Sequence, residues 1–294
     1  MTKRSIVIGM GIGELYKSVL TSMGHEIITV DSDPSKNADF TSVKSAVSKH
    51  NWFETAHICT PNFSHQSIAE EISPYAKMVF IEKPGFKTSA DWINIVQHRP
   101  FTRFMMVKNN MWRSNITELC TLATKAKTVN IQWIRRNCIP SPGSWFTTRD
   151  LAFGGVSRDL MPHLLSLYIA MNPTWRQDPV NGQAALAQWQ LKDIESTDYG
   201  TINPNGTYNV DDMCVINFGN KWKLSANWRS MDKEDSSIEF IMPDNSVERF
   251  ELGWCPEEAY KNMLTEAIDH VDESAFWLKQ YEYDTWIHER IEKL

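Results

Sequence analysis

The sequence is poor in cysteine, in clustered positive charge and in long apolar runs, and each shortage removes a class of protein. Five cysteines, Cys59, Cys120, Cys138, Cys214 and Cys255, are spread over 294 residues with no CxxC pair. Their odd number leaves at least one unpaired in any intramolecular scheme, so reduced thiols in a cytoplasmic setting are expected, and neither a disulfide scaffold nor a metal site is. No Lys/Arg block occurs and the formal net charge is −6. A phosphate backbone requires a concentrated basic face, so nucleic acid is not an expected partner. No segment approaches membrane-spanning length, which predicts no membrane insertion. Met1-Thr2-Lys3-Arg4 leads straight into a short strand-like stretch without the apolar core of a signal peptide. Internal repeats and low-complexity segments are also missing.

What is present is the composition of a soluble two-domain protein, 42% hydrophobic and 22% charged. Twelve tryptophans are many for this length. They are scattered from Trp52 to Trp286 rather than gathered into a stacking platform, so packing is their expected role.

The first hundred residues alternate strand and helix. Strands are predicted at Arg4 to Ile8, Glu26 to Val30, Ala56 to Thr60, Lys77 to Ile81 and Arg103 to Val107. Helices are predicted at Glu14 to Met23, Phe40 to His50, Ser64 to Ile72 and Ser89 to Gln97. Short apolar strands between amphipathic helices imply a parallel, doubly wound α/β sheet. Beyond residue 110 the pattern changes. Ile116 to Ala126 reads as helix, Thr128 to Arg135 as strand, Ile139 to Ser144 as loop, and a further helix ends near Met171. Strands follow at Ala185 to Leu191, Asp212 to Phe218, Lys221 to Trp228, Ile238 to Met242 and Val247 to Leu252, giving an antiparallel or mixed sheet. Pro256 to His270 and Glu273 to Ile291 read as helices. Two domains are predicted, 1–110 and 111–294, with the final helices able to pack back on the first.

Between the first strand and helix lies Gly9-Met10-Gly11-Ile12-Gly13-Glu14. Gly9 permits the tight turn, Gly11 lets backbone approach a pyrophosphate, and the following helix offers unpaired N–H groups to phosphates. Gly13 comes one residue early for the GxGxxG fingerprint. Glu14 takes the expected place, where its carboxylate would repel phosphate unless the helix turns it outward. Asp31 ends the second strand about 20 residues after the glycine turn, where an acid accepts hydrogen bonds from ribose hydroxyls. That favours NAD over NADP, although Lys36 stands near enough to soften the preference. A plain turn at Asp31-Ser32-Asp33-Pro34 is the alternative.

Further motifs follow in order. His57-Ile58-Cys59-Thr60 leads into the loop Pro61-Asn62-Phe63-Ser64-His65, then comes Glu82-Lys83-Pro84, and later Gly154-Gly155-Val156-Ser157-Arg158-Asp159-Leu160-Met161-Pro162-His163. Together they resemble the Gfo/Idh/MocA oxidoreductases: Thr60, Pro61 and His65 resemble the TPxxxH loop, Glu82-Lys83-Pro84 the EKP motif, and Asp159 with His163 the acid and histidine of DxGxH. The resemblance implies an N-terminal Rossmann domain joined to an α+β domain with an open-faced, mostly antiparallel sheet. It also implies an NAD cofactor bordered by Thr60, Pro61, Asn62, His65, Glu82 and Lys83, a cis bond before Pro84, and a homodimer or homotetramer. Met161 stands where the family has glycine.

Chemistry gives separate reasons for these residue types. Oxidising a secondary alcohol needs a base for the hydroxyl proton as hydride leaves carbon, and histidine or a desolvated lysine suits the task. His163 is the expected base and Lys83 the group polarising the oxygen, with those roles exchangeable. Asp159 is expected to cap the helix that begins beside His163, placing Pro162 in the first turn. Trp112, Arg113, Arg135, Asn137, Trp145 and Arg149 are candidate substrate contacts, and the arginines would suit a carboxylate or phosphate. The leading expectation is an NAD(P)-dependent dehydrogenase of a sugar, sugar acid or nucleotide sugar. The alternatives are a bilin-type reductase and a non-catalytic cofactor sensor or scaffold.

Overall fold

The structure is a computed structural model that describes residues 3–186, 190–195, 197, 200–232, 234–253 and 256–294. The chain divides into two units, residues 1–107 with 257–292, and residues 108–256 with 293–294. In the first unit, β1 (Arg4–Ile8), β2 (Glu26–Val30), β3 (Phe53–Ile58), β4 (Ala76–Ile81) and β5 (Arg103–Met106) form a parallel sheet in the order β2-β1-β3-β4-β5. The connecting helices are α1 (Gly13–Ser22), α2 (Val43–Lys49), α3 (His65–Ile72) and α4 (Ser89–His98).

Local sequence explains these elements. The strands read as runs of buried apolar residues because helices cover the sheet. α1 buries Gly13, Tyr16, Val19 and Leu20, one stripe at helical spacing. Ser42 and Thr88 start α2 and α4 by accepting hydrogen bonds from the Ser45 and Asp91 amides. The Ser42 cap shortens the helix expected from Phe40, and Phe40 instead forms an isolated parallel bridge with Val30, the last residue of β2.

A chain of buried polar side chains runs through the sheet. Ser5 Oγ lies 2.6 Å from His25 Nδ1 and 2.7 Å from Thr55 Oγ1, which lies 2.8 Å from His57 Nε2. His57 is fully buried, stacked on Phe80 and tilted against Tyr16. Burial, with a smaller contribution from His25, pushes its imidazole down to about 3. In an unfolded chain histidine titrates near 6.5. The folded state therefore holds this stability in full above that value and loses it progressively as pH falls towards 3. Urea unfolding is expected to show a loss of about 2 kcal/mol between pH 6.5 and 5 from this group alone. His25 and His65, also held low by burial, act in the same direction. A His57→Leu protein should lose that share of the slope, and an unchanged slope would remove His57 as its cause.

The second unit contains α5 (Ile116–Lys125), β6 (Thr128–Arg136), α6 (Arg149–Ala152), α7 (Val156–Asp159), α8 (Met161–Met171), β7 (Val180–Leu186), β8 (Met213–Phe218), β9 (Trp222–Ser230), β10 (Asp235–Ile241) and β11 (Val247–Glu251). The strands form one sheet, β11-β10-β6-β9-β8-β7. It is mixed: β6 and β9 are parallel and the other pairs antiparallel. Along β6, buried Val129, Ile131 and Trp133 alternate with less buried Asn130, Gln132 and Ile134. α8 is buried on nearly every side and packs against β6, β9 and α5.

The strand expected over 185–191 is corrected. β7 ends at Leu186, residues 187–189 lie outside the described residues, and Leu191 begins a single 3-10 turn to Asp193. Asn181 and Gly182 are weak strand formers that concealed the true start, and pairing with β8 supplies what their propensity does not.

The last two helices, α9 (Glu257–Asp269) and α10 (Ser274–Ile291), belong to the first unit. α9 packs against α1, and α10 against α4 and β5.

Candidate active site

The carboxyl ends of the parallel strands carry every motif read in the first unit. Gly9 has φ +93°, and a Cβ there would lie 2.8 Å from the Cys59 carbonyl group and the Thr60 nitrogen. Only glycine fits this turn. A Cβ on Gly11 would meet nothing within 4 Å, so the loop is open there. On Gly13 it would come within 2.9 Å of Val7 in β1. Gly13 therefore does the close helix-to-strand packing expected of the fingerprint's third glycine, one position early. Glu14 is exposed, 3.9 Å from Lys17 along the helix surface. Asp31 braces the turn: Oδ2 accepts from the Met10 amide at 2.7 Å and Oδ1 from the Asp33 amide at 2.9 Å.

The Thr60–His65 and Glu82–Gly85 loops are tied together by a buried ring. His65 Nε2 lies 2.8 Å from the Thr60 carbonyl oxygen and Nδ1 lies 2.9 Å from that of Gly85. Both ring nitrogens face backbone carbonyls of the two loops, and the neutral ring donates its one N–H to one of them at a time. Glu82 is similarly structural in its contacts. Its Oε1 accepts from the Tyr16 hydroxyl at 2.6 Å and its Oε2 from the Lys83 amide at 3.2 Å. Burial first, and Glu82 second, drive the Tyr16 phenol well above its ordinary value, keeping it a donor. Lys83 is half-buried at the strand end, and the Lys83–Pro84 bond is cis.

The peptide between Gly85 and Phe86 is gripped on both sides. Its carbonyl meets His65 of α3, and its N–H donates to His288 Nε2 of α10 at 3.1 Å. The His288 Nδ1 proton is donated to the Asp284 carbonyl at 2.6 Å, and the ring stacks on Trp92. One turn earlier, Asp284 Oδ2 accepts from the Met106 amide at 3.0 Å. α10 thereby holds the ends of β4 and β5 from 202 and 178 residues away in sequence.

In the second unit the glycine-rich run forms α7 and the start of α8. Asp159 is not the helix cap expected from the sequence: Leu160 occupies that position, with Pro162 in the first turn. Asp159 instead ends α7 and accepts from Trp228 Nε1 at 3.0 Å. The start of α7 is organised by buried Asp211, whose carboxylate accepts from the Gly155 amide, the Ser157 amide and the Ser157 hydroxyl at 2.7 to 2.9 Å. Distant acid replaces local cap.

His163 is half-buried, with its ring 5.5 Å from that of Trp133 and its Nδ1 3.1 Å from Asn110 Nδ2. Asn110 is fully buried, and its Oδ1 accepts from Arg113 Nε at 2.8 Å. Of the expected substrate contacts, Arg113 thus connects to His163 through Asn110. Arg135 pairs with Glu234 at 3.2 Å, and Arg149 donates to the Asn209 carbonyl and lies 4.0 Å from Asp211. Trp145 stacks on Phe146, Asn137 has φ +52°, and Trp112 closes a 3-10 turn from Asn109. Tyr16, Asn110, Asp211, Asp284 and His288 were not singled out by sequence reasoning. Asn109-Asn110 follows the last parallel strand directly, the one signal that marks any of them, because doubly wound sheets put functional loops there.

No protein-family model matches the chain. It is 26% identical over 277 residues to the oxidoreductase subunit assigned to UDP-kanosamine synthesis in Amycolatopsis mediterranei (strain S699), a match covering 81% of this chain and 72% of the relative. Among solved structures it is similar to GenD2 from gentamicin A biosynthesis in complex with NAD, with TM-score 0.77, 16% identity and coverage of 99% and 92% of the two chains. It is also similar to a myo-inositol dehydrogenase from Corynebacterium glutamicum ATCC 13032, with TM-score 0.72, 12% identity and coverage of 99% and 95%. Levoglucosan dehydrogenase in complex with NADH and levoglucosan gives TM-score 0.70 at 15% identity, covering 100% and 97%. Parallel five-stranded sheet, mixed six-stranded sheet and these neighbours agree: the fold is that of the Gfo/Idh/MocA-type oxidoreductases.

Proposed function

We propose that this protein is an NAD-dependent oxidoreductase acting on a hydroxyl or carbonyl carbon of a sugar or polyol. The observation that carries the reading is the glycine turn at the carboxyl end of β1, closed to any side chain at Gly9 and open at Gly11, with Asp31 at the end of β2. These residues fit a dinucleotide: the α1 N-terminus and Gly11 suit the pyrophosphate, and Asp31 keeps acceptor capacity for ribose hydroxyls after serving two amides. A 2′-phosphate would meet the Asp31 carboxylate, which supports NAD over NADP. Glu14, turned along the helix surface beside Lys17, does not oppose this. When bound, nicotinamide supplies the hydride chemistry.

The chain's own residues supply the rest. Thr60, Pro61 and Asn62 border the cofactor on a loop held by His65, and Lys83 presents its amine from a loop held by Glu82, His65 and His288. In the second unit, Asp159 and His163 are the acid and histidine suited to handling the proton of the substrate hydroxyl. Arg113, Arg135 and Arg149 each have protein partners, which favours a neutral sugar or polyol over an acidic or phosphate-bearing one. The four described free cysteines suit a reducing cytoplasm, and the less buried face of the mixed sheet suits pairing into a homodimer or homotetramer.

The test follows nicotinamide fluorescence and absorbance with NADH and NADPH, then with sugars, sugar acids, nucleotide sugars and bilins. NADH is expected to bind at least tenfold more tightly than NADPH, and a neutral sugar or polyol to turn over. Equal binding would remove Asp31 as the discriminator; binding without turnover of any sugar or polyol would overturn the substrate class. Light scattering on the same sample reads the assembly.

A further inference from the structure

We propose that Asn110 and Arg113 are positioning residues that fix the tautomer of His163, so that His163 offers a hydrogen bond to the reacting oxygen and does not take its proton. The inference rests on the oxidoreductase reading for its chemistry, but its geometry stands alone. An arginine has donors and no acceptor, so whichever amide atom of Asn110 faces Arg113 Nε at 2.8 Å must be oxygen. The other atom, 3.1 Å from His163 Nδ1, is then the amide nitrogen. An amide nitrogen donates, so Nδ1 accepts and carries no proton. The single ring proton of the neutral imidazole sits on Nε2.

Two features keep Asn110 from reversing. It is fully buried, and turning the amide over would set its NH2 group against the Arg113 Nε–H while its oxygen faced Nδ1. Trp133, tilted 37° at 5.5 Å, limits rotation of the imidazole on its other side. Protonating Nδ1 would press two donors together. A ring with its proton on Nε2 and Nδ1 already accepting has no site at Nε2 for a second proton.

The proposal divides the roles that the sequence left exchangeable. His163 Nε2–H is a donor to the substrate oxygen. In the oxidation direction the hydroxyl O–H bond breaks, its proton passes to an amine base, for which Lys83 is the candidate, and the oxygen keeps the electron pair that becomes the new carbonyl bond. A bound nicotinamide would supply the oxidant for the hydrogen that leaves carbon with its electrons.

The direct test is long-range 15N–1H correlation of histidine-labelled protein, with the His163 signals assigned from the spectrum of His163→Gln. Nδ1 is expected in the pyridine-like range and Nε2 in the pyrrole-like range. Asn110→Asp, nearly the same shape, still accepts from Arg113 but now also accepts from the ring, and is expected to invert the two signals. A pyrrole-like Nδ1 in the unmodified protein, or averaged signals showing both tautomers, would overturn the proposal even if Asn110→Asp failed to fold. The spectrum needs no turnover, so the expected tautomer in a protein inactive on every sugar would leave this assignment standing while removing the proposed function.

Discussion

Replacing Lys83 by methionine is expected to lower kcat about 10²- to 10⁴-fold while NADH binding changes by no more than a few fold. Methionine keeps the length and apolar stem of the side chain and removes only the amine. The loop that carries it should survive, because its anchors are backbone groups: the Lys83 amide on Glu82, the Gly85 carbonyl on His65 and the Phe86 amide on His288. A loss in kcat with an unchanged melting temperature would therefore report proton handling rather than folding. Lys83→Arg should recover little, since guanidinium stays charged and cannot accept a proton near neutrality. Retention of most of the activity in Lys83→Met would eliminate the amine as the acceptor, and with it the division of labour drawn between Lys83 and His163.

The second large effect concerns two glycines that look alike in the sequence and differ in space. A methyl group on Gly155 would collide with the Asp211 carbonyl oxygen, a backbone atom that cannot swing away. The same Asp211 carboxylate receives the Gly155 and Ser157 amides, so the collision strikes the segment that leads to Asp159 and His163. Gly155→Ala is expected to cost about 3 kcal/mol or more, read as a fall in melting temperature of about 6 °C or more together with lost turnover. Gly11→Ala meets nothing within 4 Å. Its stability should stay within about 0.5 kcal/mol of the parent, while NADH affinity falls because the added methyl occupies the space a pyrophosphate would approach. Equal thermal behaviour of the two variants would contradict the packing described around Asp211.

Legibility from sequence followed the range of the interaction. Strand and helix order in the first unit is written in local apolar periodicity, and Gly9, Asp31 and the cis bond at Pro84 sit where their motifs put them. The displaced Gly13 read as a defect because spacing was judged along the chain, whereas Val7 across the turn decides what that position must be. Asp159 read as a cap because acid before proline is a local signal; Trp228, 69 residues on, claims the carboxylate instead. The partnerships of Tyr16 with Glu82, Asn110 with His163, and His288 with Phe86 leave no periodic trace, because each joins segments whose proximity only the completed fold creates.

α10 gives this dependence a direction in time. Chains emerge from the ribosome amino end first, and domains generally fold as they appear. Here the nascent glycine turn and the Lys83 loop emerge long before the helix that supplies Asp284 and His288. Until that helix arrives, the Met106 and Phe86 amides lack their acceptors and Trp92 lacks the ring stacked on it. The nucleotide edge is therefore finished last although it is translated first, and a chain cut short between His163 and α10 carries every motif and an unfinished site.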